Sequence, residues 1–175
     1  MTPSGTAATS PLQPVQVIVA SFLGMIPMLG VVMVLIAGLE EYPSPAVAGA
    51  LFALNVLAFV LAELIGYRTE AVDPTASPEE AERVGLAALQ STTMLRLAIT
   101  EAPAIVSLAA AFVILPETAW TYIVGAFWAL FSVAWHGWPS RRILRKLEAS
   151  LDRDGARSRL SELAGGPATP GVQQH

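Results

Sequence analysis

From Pro14 to Leu39 the chain carries no ionisable side chain. At about 1.5 Å of rise per residue, a helix over this run crosses a hydrocarbon core of about 30 Å with some tilt. Lipid offers the backbone no hydrogen-bond partners, so a segment placed there has to be helical. Pro27, inside the run, reads as a kink of the kind membrane helices tolerate.

Three further apolar runs follow. Glu40 to Pro45 forms a short polar turn, and Ala46 to Tyr67 is a second run, interrupted by Asn55 and Glu63. Arg68 to Val84 is polar. Ser77-Pro78-Glu79-Glu80 has the residues of a helix start: a capping hydroxyl, proline at the first position and an acid three residues after the cap. One long helix is expected from Pro78 to about Leu115, its first part outside or along the membrane and its second part, from Met94, the third span. Pro116-Glu117-Thr118 makes another minimal turn. The fourth run, Ala119 to Trp138, has Trp120 and Tyr122 at one end and Trp135 and Trp138 at the other, as an aromatic belt requires.

Of the 175 residues 54% are hydrophobic and 14% charged, against about a quarter charged in ordinary soluble domains. This excludes a disordered chain and a soluble nucleic-acid binder. The expected fold is all-α: an integral membrane four-helix bundle of two parallel-repeat transmembrane hairpins, with a cytoplasmic amphipathic helix at its C-terminal end. Residues 1–13 read as a flexible N-terminal tail, 14–67 as the first hairpin and 68–84 as a cytoplasmic linker. Residues 85–138 read as the second hairpin with a helical lead-in, 139–164 as a basic amphipathic helix and 165–175 as a disordered tail. With four spans all ten Lys and Arg residues fall on one side, and the opposite turns carry only Glu40, Glu41 and Glu117. The positive-inside rule then makes both termini of this multi-pass chain cytoplasmic, in a bacterial cytoplasmic membrane.

An internal duplication is expected at an offset of 76, where Pro27 meets Pro103, Glu41 meets Glu117 and Gly49 meets Gly125. Gly49, Ala50 and Ala53, like Gly125, Ala126 and Ala129, suit close helix packing. After Pro139-Ser140, Leu144, Leu147 and Leu151 share one face of a helix charged by Arg141, Arg142, Arg145 and Lys146. Such a helix reads as lying on the anionic lipid surface, or alternatively as docking a cytoplasmic partner.

Ionisable groups within spans are costly and count as functional hypotheses. Glu101 is the deepest, roughly 10 Å inside the third span. Together with Glu63, Arg96 and His136 it occupies one depth zone, and Asn55 lies near the midplane. Glu101 reads either as a proton- or cation-binding carboxylate or as a structural acid paired with Arg96 or His136. Glu63 and Arg96 are shallow enough to snorkel, and His136 suits an interfacial role. With no cysteine and two histidines, neither a metal site nor a cofactor is expected.

Leu95-Arg96-Leu97-Ala98-Ile99-Thr100-Glu101-Ala102-Pro103-Ala104, with Gln90 before it and Pro139-Ser140-Arg141-Arg142 after it, resembles a group of uncharacterised bacterial four-span membrane proteins. The resemblance covers about Gly85 to Glu148 and implies no activity. Glu101-Ala102-Pro103-Ala104 is also similar to the ion-site context of rotary ATPase proteolipid hairpins. Here, though, the acid lies on the first helix of its hairpin, and Pro14 to Leu39 lacks their glycine repeat, so no rotor role is expected. The function expected is that of a small accessory or interaction subunit of a membrane complex, or a self-associating protein, with membrane lipids as partners. The alternative is an oligomeric proton- or cation-coupled transporter or channel using Glu101. An enzyme is not the expected reading.

Overall fold

The computed structural model describes residues 10–114 and 117–165. Among these there are five α-helices and no strand: α1 Gln13–Ala37, α2 Pro45–Ile65, α3 Pro78–Val113, α4 Ala119–Gly137 and α5 Arg141–Leu151. A 3-10 turn, Leu160–Gly165, follows. The tails expected over residues 1–9 and 166–175, and Leu115 and Pro116 of the second tight turn, lie outside the described residues.

Local chemistry sets the helix starts. Ser44 accepts from Val47 N at 3.4 Å ahead of Pro45, and Ser77 accepts from Glu80 N at 3.2 Å ahead of Pro78. Each hydroxyl satisfies an orphan first-turn donor, and each proline occupies a position that needs no N–H. The Glu80 side chain turns to Arg83 at 3.5 Å rather than back onto the cap.

Helices α1, α2 and α3 are long and apolar enough to cross a membrane. The 36 residues of α3 reach about 54 Å, well beyond the ~30 Å of a hydrocarbon core, so its first turns stand clear of any bilayer the rest crosses. Helix α4 has 19 residues and no Asp, Glu, Lys or Arg, but its tryptophans and His136 lower its hydropathy below that of the other three.

The centre of the fold is the α3–α4 pair. Small and polar side chains line its seam: Thr100, Pro103, Ala104, Ser107 and Ala111 on α3, and Gly125, Ala126, Ala129 and Ser132 on α4, all buried. At Gly125 a Cβ would land on the Ser107 side chain, so the two backbones approach as closely as glycine permits. Helices α1 and α2, consecutive in the chain, pack on α4 and α3 and make almost no contact with each other. The landmarks of the duplication therefore sit in unlike surroundings. Pro103 is buried and Pro27 exposed; Gly125 is closely packed, whereas a Cβ on Gly49 would meet nothing within 4 Å.

Helix α5 does not lay its apolar face on lipid. Ile143, Leu144, Leu147 and Leu151 are each fully buried, in one core with Val72, Ala81, Leu89 and Leu160. The projecting start of α3 supplies the surface they cover. The linker after α2 is pinned alongside, with Val72 N donating to Leu151 O at 2.9 Å and Thr69 N to Ser150 Oγ at 3.1 Å. At the opposite end the two turns are tied by Ala119 N to Gly38 O at 3.1 Å and by the Trp120 indole to Leu39 O at 3.2 Å.

Candidate functional site

Glu63, Arg96 and His136 converge where α2 and α4 end beneath α5. Arg96, on α3, is completely buried. It donates through Nε to His136 O at 2.7 Å, through Nη1 to Gly66 O at 2.7 Å and through Nη2 to Thr93 Oγ1 at 2.8 Å. Two of these acceptors are carbonyls at the C-terminal ends of α4 and α2, where unpaired carbonyls and the helix dipole both favour a cation. The guanidinium also lies 4.7 Å from the centroid of the Tyr67 ring. Arg96 thus joins three helices, with no carboxylate partner among the described residues. It does not snorkel: it is fully buried, and each of its three nitrogens has an acceptor inside.

A second layer covers the first. The Tyr67 hydroxyl is 2.8 Å from His136 Nδ1 and accepts from Arg142 Nη2 at 3.2 Å. With the Tyr67 hydroxyl donating to Nδ1, the ring proton belongs on Nε2, a buried atom with no hydrogen-bond partner among the described residues. The Phe59 ring lies edge-on to His136, with centroids 4.5 Å apart. Glu63, on α2, is the anion of the layer. It pairs with Lys146 and, at 3.4 Å, with Arg142. Arg142 and Lys146 are one turn apart on α5, so both reach the same carboxylate, and Arg142 also stacks 4.8 Å over Trp135.

The structure therefore brings together Glu63, Arg96 and His136, and adds Arg142 and Lys146 of the residues read as lipid-facing. Arg141 and Arg145 are exposed on the neighbouring face of α5. Glu101 stands apart. It is half-buried on α3, without a hydrogen-bond or ion-pair partner among the described residues. Asn55 is separate again, donating to Leu51 O at 2.9 Å and across to Gly125 O at 3.1 Å, which ties α2 to α4. Gly125 and Ala129 pack inside the chain, whereas Gly49 and Ala53 lie open on α2.

Tyr67, Gly66 and Thr93 escaped sequence reasoning. Thr93 carried a signal in its spacing, three residues before Arg96 and on the same helix face. Gly66 and Tyr67 lie just past the end of α2, and their partners are distant in the chain. Outside the cluster, Asp73 accepts from Thr75 N at 2.8 Å and Thr75 Oγ1 at 2.7 Å, which holds its carboxyl below the usual 3.8. Among the described residues no group of acids and histidines has the arrangement of a metal site. Comparison with protein-family models, curated proteins and solved structures found no match for this chain.

Proposed function

We propose that the chain is a multi-pass protein of the cytoplasmic membrane whose helices α1 to α4 all cross the bilayer, with both termini on the cytoplasmic side, and that it acts by association, with copies of itself or within a larger membrane complex. The apolar outer surfaces of α1 and α2 support the membrane setting: Val31, Leu35 and Ile36 on α1, and Leu57 and Leu64 on α2, are all more than half exposed in the isolated chain. Helix α4 joins the spans because it packs against all three of the others and carries no Asp, Glu, Lys or Arg.

The observation that carries the association reading is the contrast between the two small-residue patches. Gly125 and Ala129 are filled by α3, while Gly49 and Ala53 face outward with nothing against them. In lipid a patch of small residues favours close approach of another helix. The ionisable residues Glu63, Arg96 and His136 are occupied with one another and with helix ends, which fits a role in holding the protein together. Single-molecule photobleaching or cross-linking in nanodiscs tests the reading. Gly49→Leu and Ala53→Leu should lower the associated fraction without unfolding the chain, and an unchanged fraction counts against association through α2.

A second reading has one observation in its favour. Glu101 is a carboxylate on a spanning helix with no partner among the described residues, and such a group is suited to bind a proton or cation. Proton flux in liposomes that disappears in Glu101→Gln, with folding and assembly unchanged, would favour a transporter or channel.

A further inference from the structure

Two openings lie on one seam. At the α5 end a cleft of about 470 Å³ is lined by Leu23, Ala134, Trp135, Trp138, Ser140 and Arg142. Further along, a groove of about 310 Å³ runs between Pro27, Gly30 and Val34 of α1 and Ile123, Phe127 and Leu130 of α4. On α1 the positions 23, 27, 30 and 34 are spaced four, three and four; on α4 the positions 134, 130, 127 and 123 repeat that spacing in the opposite direction. Each series is one face of a helix. Cleft and groove therefore share one side of the α1–α4 seam, opened by the small residues Gly30 and Ala134. From Trp138 to Phe127 on α4, the level of Gly30 on α1, the path is about 16 Å, the depth of one leaflet of a ~30 Å core.

The two ends of this path differ in chemistry. The groove is apolar throughout. The cleft has two indoles, a hydroxyl and a guanidinium. Ser140 makes no side-chain cap bond to α5, so its hydroxyl is available. The contacts of Arg142 to Glu63, Tyr67 and Trp135 O are 3.4, 3.2 and 3.3 Å, all at the long end, and they leave guanidinium donors over for a stronger acceptor. Exposed Arg141 and Arg145 add positive charge, and within the cluster Glu63 is the sole carboxylate against Arg142 and Lys146. An anionic group at the boundary, continuous with an apolar chain of leaflet depth, is what this path complements.

We propose that the α1–α4 seam holds a single phospholipid, its phosphate against Arg142 and Ser140 and one acyl chain along the groove to Gly30. The site rests on the reading that α1 and α4 cross the bilayer. Native mass spectrometry of the full chain, released from nanodiscs into mild detergent and titrated with phosphatidylglycerol, tests it. Flotation of the reconstituted protein with vesicles tests the membrane reading separately. The expected result is one phosphatidylglycerol per chain, weakened about tenfold by loss of the Ser140 hydroxyl in Ser140→Ala or by filling the groove in Gly30→Leu. A Cβ on Gly30 stands at an ordinary 3.6 Å from the Tyr122 ring, and Ala134→Leu blocks the path independently. Equal retention of a diacylglycerol would show that the phosphate is not recognised, and equal affinity for glycerol 3-phosphate would show that the groove is unused. Either result, or retention unchanged in all three variants, overturns the site while flotation stands. Failure to float overturns the membrane reading beneath it.

Discussion

Gly66 and Arg96 fit together at the limit of close approach. Arg96 Nη1 donates to the Gly66 carbonyl at 2.7 Å, and the space beside Gly66 is filled by the arginine stem, with Cγ 2.5 Å and Cδ 3.1 Å from where a Cβ would stand. The glycine ends α2 and admits the cation that satisfies that end. Backbone conformation is not the constraint, since φ there is −70°.

Gly66→Ala should therefore destabilise the protein by about 1–3 kcal/mol, the range for overpacking a filled interior. Gly49→Ala is the matched control. Nothing stands near Gly49, and alanine improves helix propensity by up to ~1 kcal/mol, so stability should hold or rise. Thermal unfolding of both variants in the same detergent makes the comparison.

Replacing Arg96 by methionine keeps much of its apolar stem and removes three hydrogen bonds. The carbonyls of Gly66 and His136 are then left buried without their donor, at about 1–3 kcal/mol each. Lysine cannot reproduce the planar fork that reaches three acceptors in different directions, so Arg96→Lys should recover only part of the loss. Full recovery by lysine would mean that charge alone matters at this position.

Glu63 holds Arg142 and Lys146, and the three side chains are each about a third exposed. The pairing therefore contributes less than about 1 kcal/mol, and Glu63→Gln should leave the spans intact. Its effect should appear as faster hydrogen exchange across α5, with exchange in the second half of α3 unchanged. Equal protection of α5 in both proteins would show that its buried leucines suffice.

The Thr75 amide reports on Asp73. Its hydrogen bonds favour the charged carboxyl, so their contribution is complete above the ordinary value of 3.8 and is lost as pH falls through a lower value. The Thr75 amide shift in NMR should titrate with a midpoint below 3.8. A midpoint at or above that value contradicts the hydrogen bonding described here.

Glu101→Gln should leave melting within about 0.5 kcal/mol of the parent, because no partner among the described residues is lost. Failure of this variant to fold or assemble would mark the acid as structural and remove the ground for an ion-binding role.

The long α3 was legible because its signals are local. Ser77, Pro78 and an apolar pattern sustained past Met94 specify a start and a direction without reference to anything distant. Residue count put Glu63, Arg96, Glu101 and His136 at one depth, but depth alone does not say which of them meet, and Glu101 faces away from the other three. What covers that zone was not legible either. Leu144, Leu147 and Leu151 make an apolar face, but an apolar face carries no mark of whether lipid or protein will meet it. The choice depends on the start of α3 projecting far enough to receive it. Arg96 was misjudged for a similar reason: its acceptors are main-chain carbonyls, which residue identity does not reveal.

The central claim is that α4 crosses the bilayer like the three more apolar helices. The native chain has no cysteine, so single cysteines at Glu117 and Arg153 can be labelled in intact cells with a membrane-impermeant maleimide. The account predicts labelling at 117 from outside and at 153 only after permeabilisation. Labelling of both positions from the same side would contradict it.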